Sequence, residues 1–257
     1  MSGASAPLAL VTGGHRRLGA RIAMHLARAG YALAIHGRLD AEPHRFLTEC
    51  LAETGVAWAG FVADFLVPGE VERLIPAVID HFGRAPDLLV NSASMFGEGG
   101  LAEVGAEQLA AYLQVNVIAP VLLSQAFARA GRPAGQDAAI VNILDQRLVQ
   151  PHGDQLAYTL SKAGLEAFTR IAARTLAPAI RVNAVAPGLT LATYDYTPEQ
   201  LGELAALTPL EKLPMPEDVA EAVLYLARAR AVTEQTIIVD GGAHMRSYPR
   251  DFIHLTD

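Results

Sequence analysis

A chain of 257 residues that is 51% hydrophobic and 18% charged has enough apolar material for one sizeable core, and its length fits a single domain. A net charge of −7 excludes nucleic acid as the main partner, because phosphate backbones are held by basic surfaces. The lone Cys50 excludes an internal disulfide, the histidines show no metal-ligand spacing, and no apolar run is long enough to span a membrane. The N-terminus lacks the basic start of a signal peptide, so a reduced, metal-free, cytoplasmic protein is expected.

In chain order, short apolar runs alternate with longer amphipathic stretches. LALV at 8–11, ALAI at 32–35, GFVA at 60–63, LLV at 88–90, AIVNIL at 139–144, IRVNAV at 180–185 and TIIV at 236–239 read as strands. The helix-like segments between them predict an α/β protein with a parallel sheet covered on both faces. No repeat or composition break interrupts the pattern, so 1–257 reads as one domain.

The first strand runs into TGGHRRLGARIAMHLARAG, a turn bearing Gly13, Gly14 and Gly19 followed by a helix ending at Gly30. Such a turn aims backbone N–H groups and a helix N-terminus at a pyrophosphate, although its spacing is looser than G-x-G-x-x-G. The second strand ends in IHGR, where an NAD site would carry an acid for the ribose 2′-hydroxyl. Arg38 stands there instead, and with Arg16 it suits the 2′-phosphate of NADP; Asp40 supplies an acid if the register moves slightly.

Tyr158 and Lys162 stand at i and i+4 on a helix-patterned segment, one face presenting a phenol and an ammonium to one ligand. The ammonium is expected to favour the phenolate and so ease proton exchange near neutral pH. Residues 189–216, rich in proline and carrying the acidic TYDYTPEQ, follow a strand end and read as a substrate lid. The helix at 155–176 is apolar on more than one side, which predicts a subunit interface. His15 and His152 are expected at the surface or in caps, and Asn183 is expected to steady the turn before Pro187.

Thr12, Gly13 and Gly19, Asn91-Ser92-Ala93, Asn116 in VNVIAP, Tyr158-x-x-x-Lys162, Pro187-Gly188 and Asp240-Gly241-Gly242 occur in order over nearly the whole chain. Together they resemble the short-chain dehydrogenase/reductases. The resemblance implies a Rossmann-type, doubly wound sheet of seven parallel strands and a nicotinamide cofactor, NADP from the arginines above. It places the cofactor along Gly13, Arg16, Arg17, Leu18 and Gly19, with Asp64 beside the adenine, Asn91, Ser92 and Ala93 lining the channel, and Lys162, Pro187 and Gly188 further along. It also implies Tyr158 as acid, assisted by Lys162 and Asn116, and a homotetramer.

Three departures narrow the expectation. Arg17 replaces the middle glycine of the family's first turn, NSASMF replaces Asn-Asn-Ala-Gly, and Asp145 stands where the family has an active-site serine. With Gln150-Pro151 and the PGL after the sixth strand, these resemble the pteridine reductase branch, which includes dihydromonapterin reductases. The chemistry agrees. An ionised carboxylate accepts hydrogen bonds and repels a ketone oxygen, whereas a ring with C=N bonds and N–H donors suits it. Phe96 and Ser94 are then substrate contacts, with Arg17 bridging pyrophosphate and substrate, and Asp145 orienting Tyr158. The rival readings are a reductase of another small carbonyl or imine, and a non-catalytic NADP-binding sensor or scaffold.

Overall fold

The sheet owes its shape to strands that are buried on both sides. A computed structural model describes residues 6–133, 135–190 and 196–255. Its strands are β1 (Leu8–Val11), β2 (Ala32–Gly37), β3 (Trp58–Val62), β4 (Leu88–Asn91), β5 (Ala139–Ile143), β6 (Arg181–Pro187) and β7 (Thr236–Val239). All pair in parallel, in the order β3-β2-β1-β4-β5-β6-β7. The helices are α1 (Arg17–Arg28), α2 (Arg45–Thr54), α3 (Glu70–Phe82), α4 (Ala106–Leu113), α5 (Ala119–Arg129), α6 (Leu156–Leu176), α7 (Pro198–Ala206) and α8 (Pro216–Arg228).

Alternate residues of each central strand feed two cores. Ala9 and Val11 of β1 pack with Leu33 and Ile35 under α1, α2 and α8, while Leu8 and Leu10 face α3, α5 and α6. Burying each such leucine or isoleucine contributes about 1.5–3 kcal/mol, which is why these strands are continuous apolar runs rather than alternating ones. At the edge the rule relaxes: β3 exposes Trp58 and Val62, so its start falls earlier than the apolar run at 60–63 indicates. β6 runs on to Pro187, whose missing N–H costs nothing where the ladder ends.

Two expectations change. Asn183 does not steady the turn before Pro187; within β6 its side chain donates to the Val232 carbonyl and accepts from Gln235 N–H, pinning the loop that leads into β7. α4, one π-helical turn at Gln114–Ile118 and α5 also join into a single helix, Ala106–Arg129, long and apolar enough by composition to cross a membrane. Its Asn116 and Ser124 are buried, and it packs on α3 and α6.

The strand order reverses between β1 and β4. The chain leaves these two neighbours in opposite directions, and the crevice this opens above their C-terminal ends is where doubly wound sheets take ligands.

Candidate active site

A cavity of about 770 Å³ lies over that crevice. It brings together Gly13, Arg16, Arg17, Leu18 and Gly19 of the first turn, Arg38 and Asp64 beyond β2 and β3, and Ser92, Ala93, Ser94 and Phe96 beyond β4. Asp145 after β5, Tyr158 and Lys162 on α6, and Pro187 and Gly188 at the end of β6 complete it.

In the turn after β1, Gly13 has φ +63°, and a Cβ on Gly19 would lie 2.2 Å from the Gly13 carbonyl oxygen. Only glycine permits so tight a turn. Arg17 takes the left-handed conformation as well, φ 51°, at a cost of roughly 1–2 kcal/mol that a glycine would avoid. Beneath the turn His36 is buried and stacked on Phe65 with centroids 4.4 Å apart. Its Nδ1 accepts from Gly13 N–H at 3.1 Å, and its Nε2 bonds to the Ala63 carbonyl at 2.9 Å. Accepting at Nδ1 needs the neutral ring with its proton on Nε2, and burial pulls the His36 pKa down to about 4. Nothing near His36 in sequence marked it as the prop of the turn.

The first turn of α1 holds no acid and no side chain caps it, which leaves its leading N–H groups to an anion. With Arg16 and Arg17 beside it, this cradle fits a dinucleotide pyrophosphate. At the far end Arg38 Nε donates to Asp64 Oδ2 at 3.0 Å while 57% of the arginine side chain stays exposed, leaving guanidinium N–H groups for a 2′-phosphate. Asp40 does not line the cavity, so the competing acid is out of place.

The reacting end is built on β5 and α6. Asp145 caps a 3-10 turn, Gln146–Leu148, by accepting the Arg147 backbone N–H at 2.9 Å. The Tyr158 O–H donates to Asp145 Oδ2 at 2.8 Å, and Lys162 Nζ donates to the Ile143 carbonyl at 2.7 Å. The expected lowering of the phenol pKa by Lys162 does not hold. Burial pushes the Tyr158 phenol well above its ordinary range, and the Asp145 carboxylate adds to the shift. Lys162 spends a donor on the backbone and sits 5.6 Å from the ring centroid; the cation that does favour the phenolate is Arg147, whose Cζ lies 4.9 Å over the ring.

Arg147 is the principal residue that sequence reasoning missed. Only 3% exposed, its Nε bonds Asp145 Oδ1 at 3.3 Å and its Nη2 bonds Asp251 Oδ2, 104 residues away. The one local signal was a charge two residues after Asp145. Its partner was unreadable at that separation, and the C-terminal segment carries Phe252 into the cavity wall beside Asp251. His152 was expected at the surface, yet its side chain is 6% exposed and paired with Asp154, whose Oδ2 accepts the Asp251 backbone N–H at 2.9 Å. His15, within the first turn, is likewise buried, at 5%, and lines the cavity.

Two expected site residues do not reach the cavity. Asn91 is turned inward by its register, donating to Asn142 Oδ1 at 2.8 Å across the β4–β5 ladder; Ser92 and Ala93 form the wall instead, their N–H groups held by Thr12 Oγ1. Asn116 lies in the π-helical turn, accepts from Met95 N–H and donates to the Met95 carbonyl and to Ser161 Oγ. It ties the loop after β4 to α6 and is not among the residues lining the cavity. That loop presents Phe96, 40% exposed, lining the cavity and at a steep angle to Tyr158 with ring centroids 4.8 Å apart, and beside it the exposed Ser94, whose hydroxyl donates to the Met95 carbonyl. Of the segment 189–216, Leu189 and Thr190 line the cavity and α7 packs Leu204 on Phe252; residues 191–195 lie outside the described ones.

A parallel sheet with a glycine cradle at one end and a tyrosine and lysine four residues apart at the other defines a nicotinamide-dependent oxidoreductase. The family described as enoyl-(acyl carrier protein) reductase matches residues 14–244, and the chain belongs to the short-chain dehydrogenase/reductase family. It is 33% identical to pteridine reductase 1 of Leishmania tarentolae, over 93% of this chain and 96% of that one. It is also 33% identical to the 3-oxoacyl-[acyl-carrier-protein] reductase FabG of Pseudomonas aeruginosa, over 93% and 97%. Among solved structures, FolM alternative dihydrofolate reductase 1 of Brucella suis, in complex with NADP, superposes with a TM-score of 0.83 at 33% identity, covering 93% of this chain and 96% of that one.

Burial pulls the Lys162 pKa from 10.5 down to about 8. The ammonium is therefore present below that pH and lost above it, so kcat/KM for NADPH should fall along a basic limb near pH 8. Stability moves the other way: between about pH 8 and 10.5 the unfolded chain holds more protons, and the Lys162 contribution to folding improves as pH rises. Steady-state kinetics and thermal melts across pH 7–10 separate the two, and an activity profile flat to pH 10 would remove Lys162 from the cofactor site.

Proposed function

We propose that the protein is an NADPH-dependent reductase converting a dihydropterin to the tetrahydropterin. The observation that carries this reading is the 2.8 Å hydrogen bond from Tyr158 to Asp145, with a carboxylate where the family's serine offers a hydroxyl donor. Asp145 accepts from ring N–H groups and holds the Tyr158 oxygen against the substrate edge. Because burial keeps Tyr158 neutral, its O–H is a proton source for a ring nitrogen. NADPH, when bound, supplies the hydride to the carbon of the reduced C=N bond. Lys162 holds the nicotinamide ribose, Phe96 offers an aromatic face for a flat ring, and Arg17 and Ser94 reach its polar edge. The pteridine reductase of Leishmania and the Brucella enzyme with NADP support this choice, while the equal identity to FabG supports the carbonyl-reductase rival.

We read 189–216 as the substrate lid and the protein as cytoplasmic, in keeping with the buried thiol of Cys50. The outer face of α6 exposes Leu160, Ala163, Ala167 and Ile171, and beside it the helix through α4 and α5 exposes Leu113 and Ile118. This apolar face supports a homotetramer built on α6.

Tyr158→Phe and Asp145→Ala should each lower kcat for dihydropterins by ~10²-fold or more while NADPH still binds. Asp145→Ser restores the hydroxyl donor, so pterin reduction should fall while an activated ketone is reduced as well or better; intact pterin turnover would transfer the assignment to carbonyl reduction. Arg38→Asp should raise KM for NADPH far more than for NADH, and equal use of both by the unaltered protein would contradict the 2′-phosphate assignment. Light scattering should give about four times the 27.3 kDa chain mass, a monomer at micromolar concentration being the contrary result.

A further inference from the structure

A buried cation that lines the cavity, Arg147, has no part in the proposed proton and hydride transfer. Arg147 contacts Asp145 through its backbone N–H at 2.9 Å and its Nε at 3.3 Å, and contacts Asp251 through Nη2. Its guanidinium Cζ lies 4.9 Å from the Tyr158 ring centroid and 5.9 Å from that of Phe96. Asp251 is itself fixed, since its backbone N–H donates to Asp154 and the neighbouring Phe252 is buried against Leu204 and Ala243. One cation thus ties the proton-handling pair on β5 and α6 to the last turn of the chain.

We infer that Arg147 is a positioning residue for Asp145 and Tyr158, and that the C-terminal segment carrying Asp251 completes the active site within the same chain. A carboxylate that only accepts from Tyr158 is free to swing about its Cα–Cβ bond. The Arg147 backbone N–H holds Oδ1 at 2.9 Å, and a further bond from a guanidinium Nε that is anchored elsewhere through Nη2 removes the remaining freedom and fixes the direction of the phenol O–H. Arginine is required for this because its planar fork reaches both carboxylates at once, whereas an ammonium is a point donor. The tail's contribution is Asp251, which keeps the guanidinium from turning into the cavity that the substrate must enter. This rests on Asp145 and Tyr158 being the reacting pair.

The test uses the full chain with whichever dihydropterin or activated ketone it reduces fastest, so a wrong pterin assignment leaves it intact. Loss of turnover in Tyr158→Phe is the control for the reacting pair. Misplacement of reacting groups by an ångström costs up to about 100-fold, so Arg147→Met should lower kcat by about 10- to 100-fold, with the Kd for NADPH, followed by its fluorescence, unchanged. Asp251→Asn should lower kcat less, and Arg147→Met/Asp251→Asn should be no worse than Arg147→Met alone, because the two act through one contact. Guanidinium ion at concentrations that leave the fold intact should restore part of the turnover of Arg147→Ala. Where Arg147→Met does not fold, Arg147→Lys replaces it, and its kcat should also fall with Kd unchanged. Wild-type kcat in the folded Arg147 variants, independent and multiplicative losses in the double variant, or a loss of NADPH affinity in step with kcat would each overturn the inference.

Discussion

The Asp145 carboxylate is held between a phenol and a guanidinium at the cavity wall, and much of the architecture serves that arrangement. The buried charge of the pair is Arg147, and leaving such a charge uncompensated costs about 3–5 kcal/mol, so the carboxylate beside it is held in turn. Three parts of the chain answer it. The turn after β5 supplies the Arg147 N–H and guanidinium, α6 supplies Tyr158, and the C-terminal segment supplies Asp251 as the counterweight to Arg147. Lys162, one turn along α6, is left to bond the Ile143 carbonyl and face the cofactor channel.

The same environment sets the protonation of the pair. Burial raises the Tyr158 phenol and lowers the Lys162 ammonium, each toward its neutral form, as a low dielectric requires. A neutral tyrosine is the species that the proposed proton transfer calls for. At the opposite end of the cavity a second neutral group does mechanical work. His36 ties the glycine turn to the Ala63 carbonyl and stacks on Phe65, joining that turn to the cavity wall beyond β3. The left-handed Arg17 belongs to this braced turn and lines the cavity.

By itself the sequence determined the sheet, the first turn and the Tyr158-Lys162 pair, because each is a local code. Strands buried on both faces must be apolar runs, a tight turn needs glycine where a Cβ would meet backbone, and two residues four apart on a helix share a face. It also placed Arg38, Ser94, Phe96 and Asp145 in one cavity, since in a parallel sheet every strand ends on the same side. What only the tertiary structure decided were the interactions without local periodicity. Asn91 turns inward because its register sets it beside Asn142, and Asn116 is spent on Met95 and Ser161 because a π-helical turn aims it there. The Tyr158 pKa moved upward rather than downward because burial, which no spacing rule encodes, outweighs a nearby cation. Arg147 found Asp251 across 104 residues because a charge enclosed by the fold must be paired with whatever opposite charge the packing brings beside it.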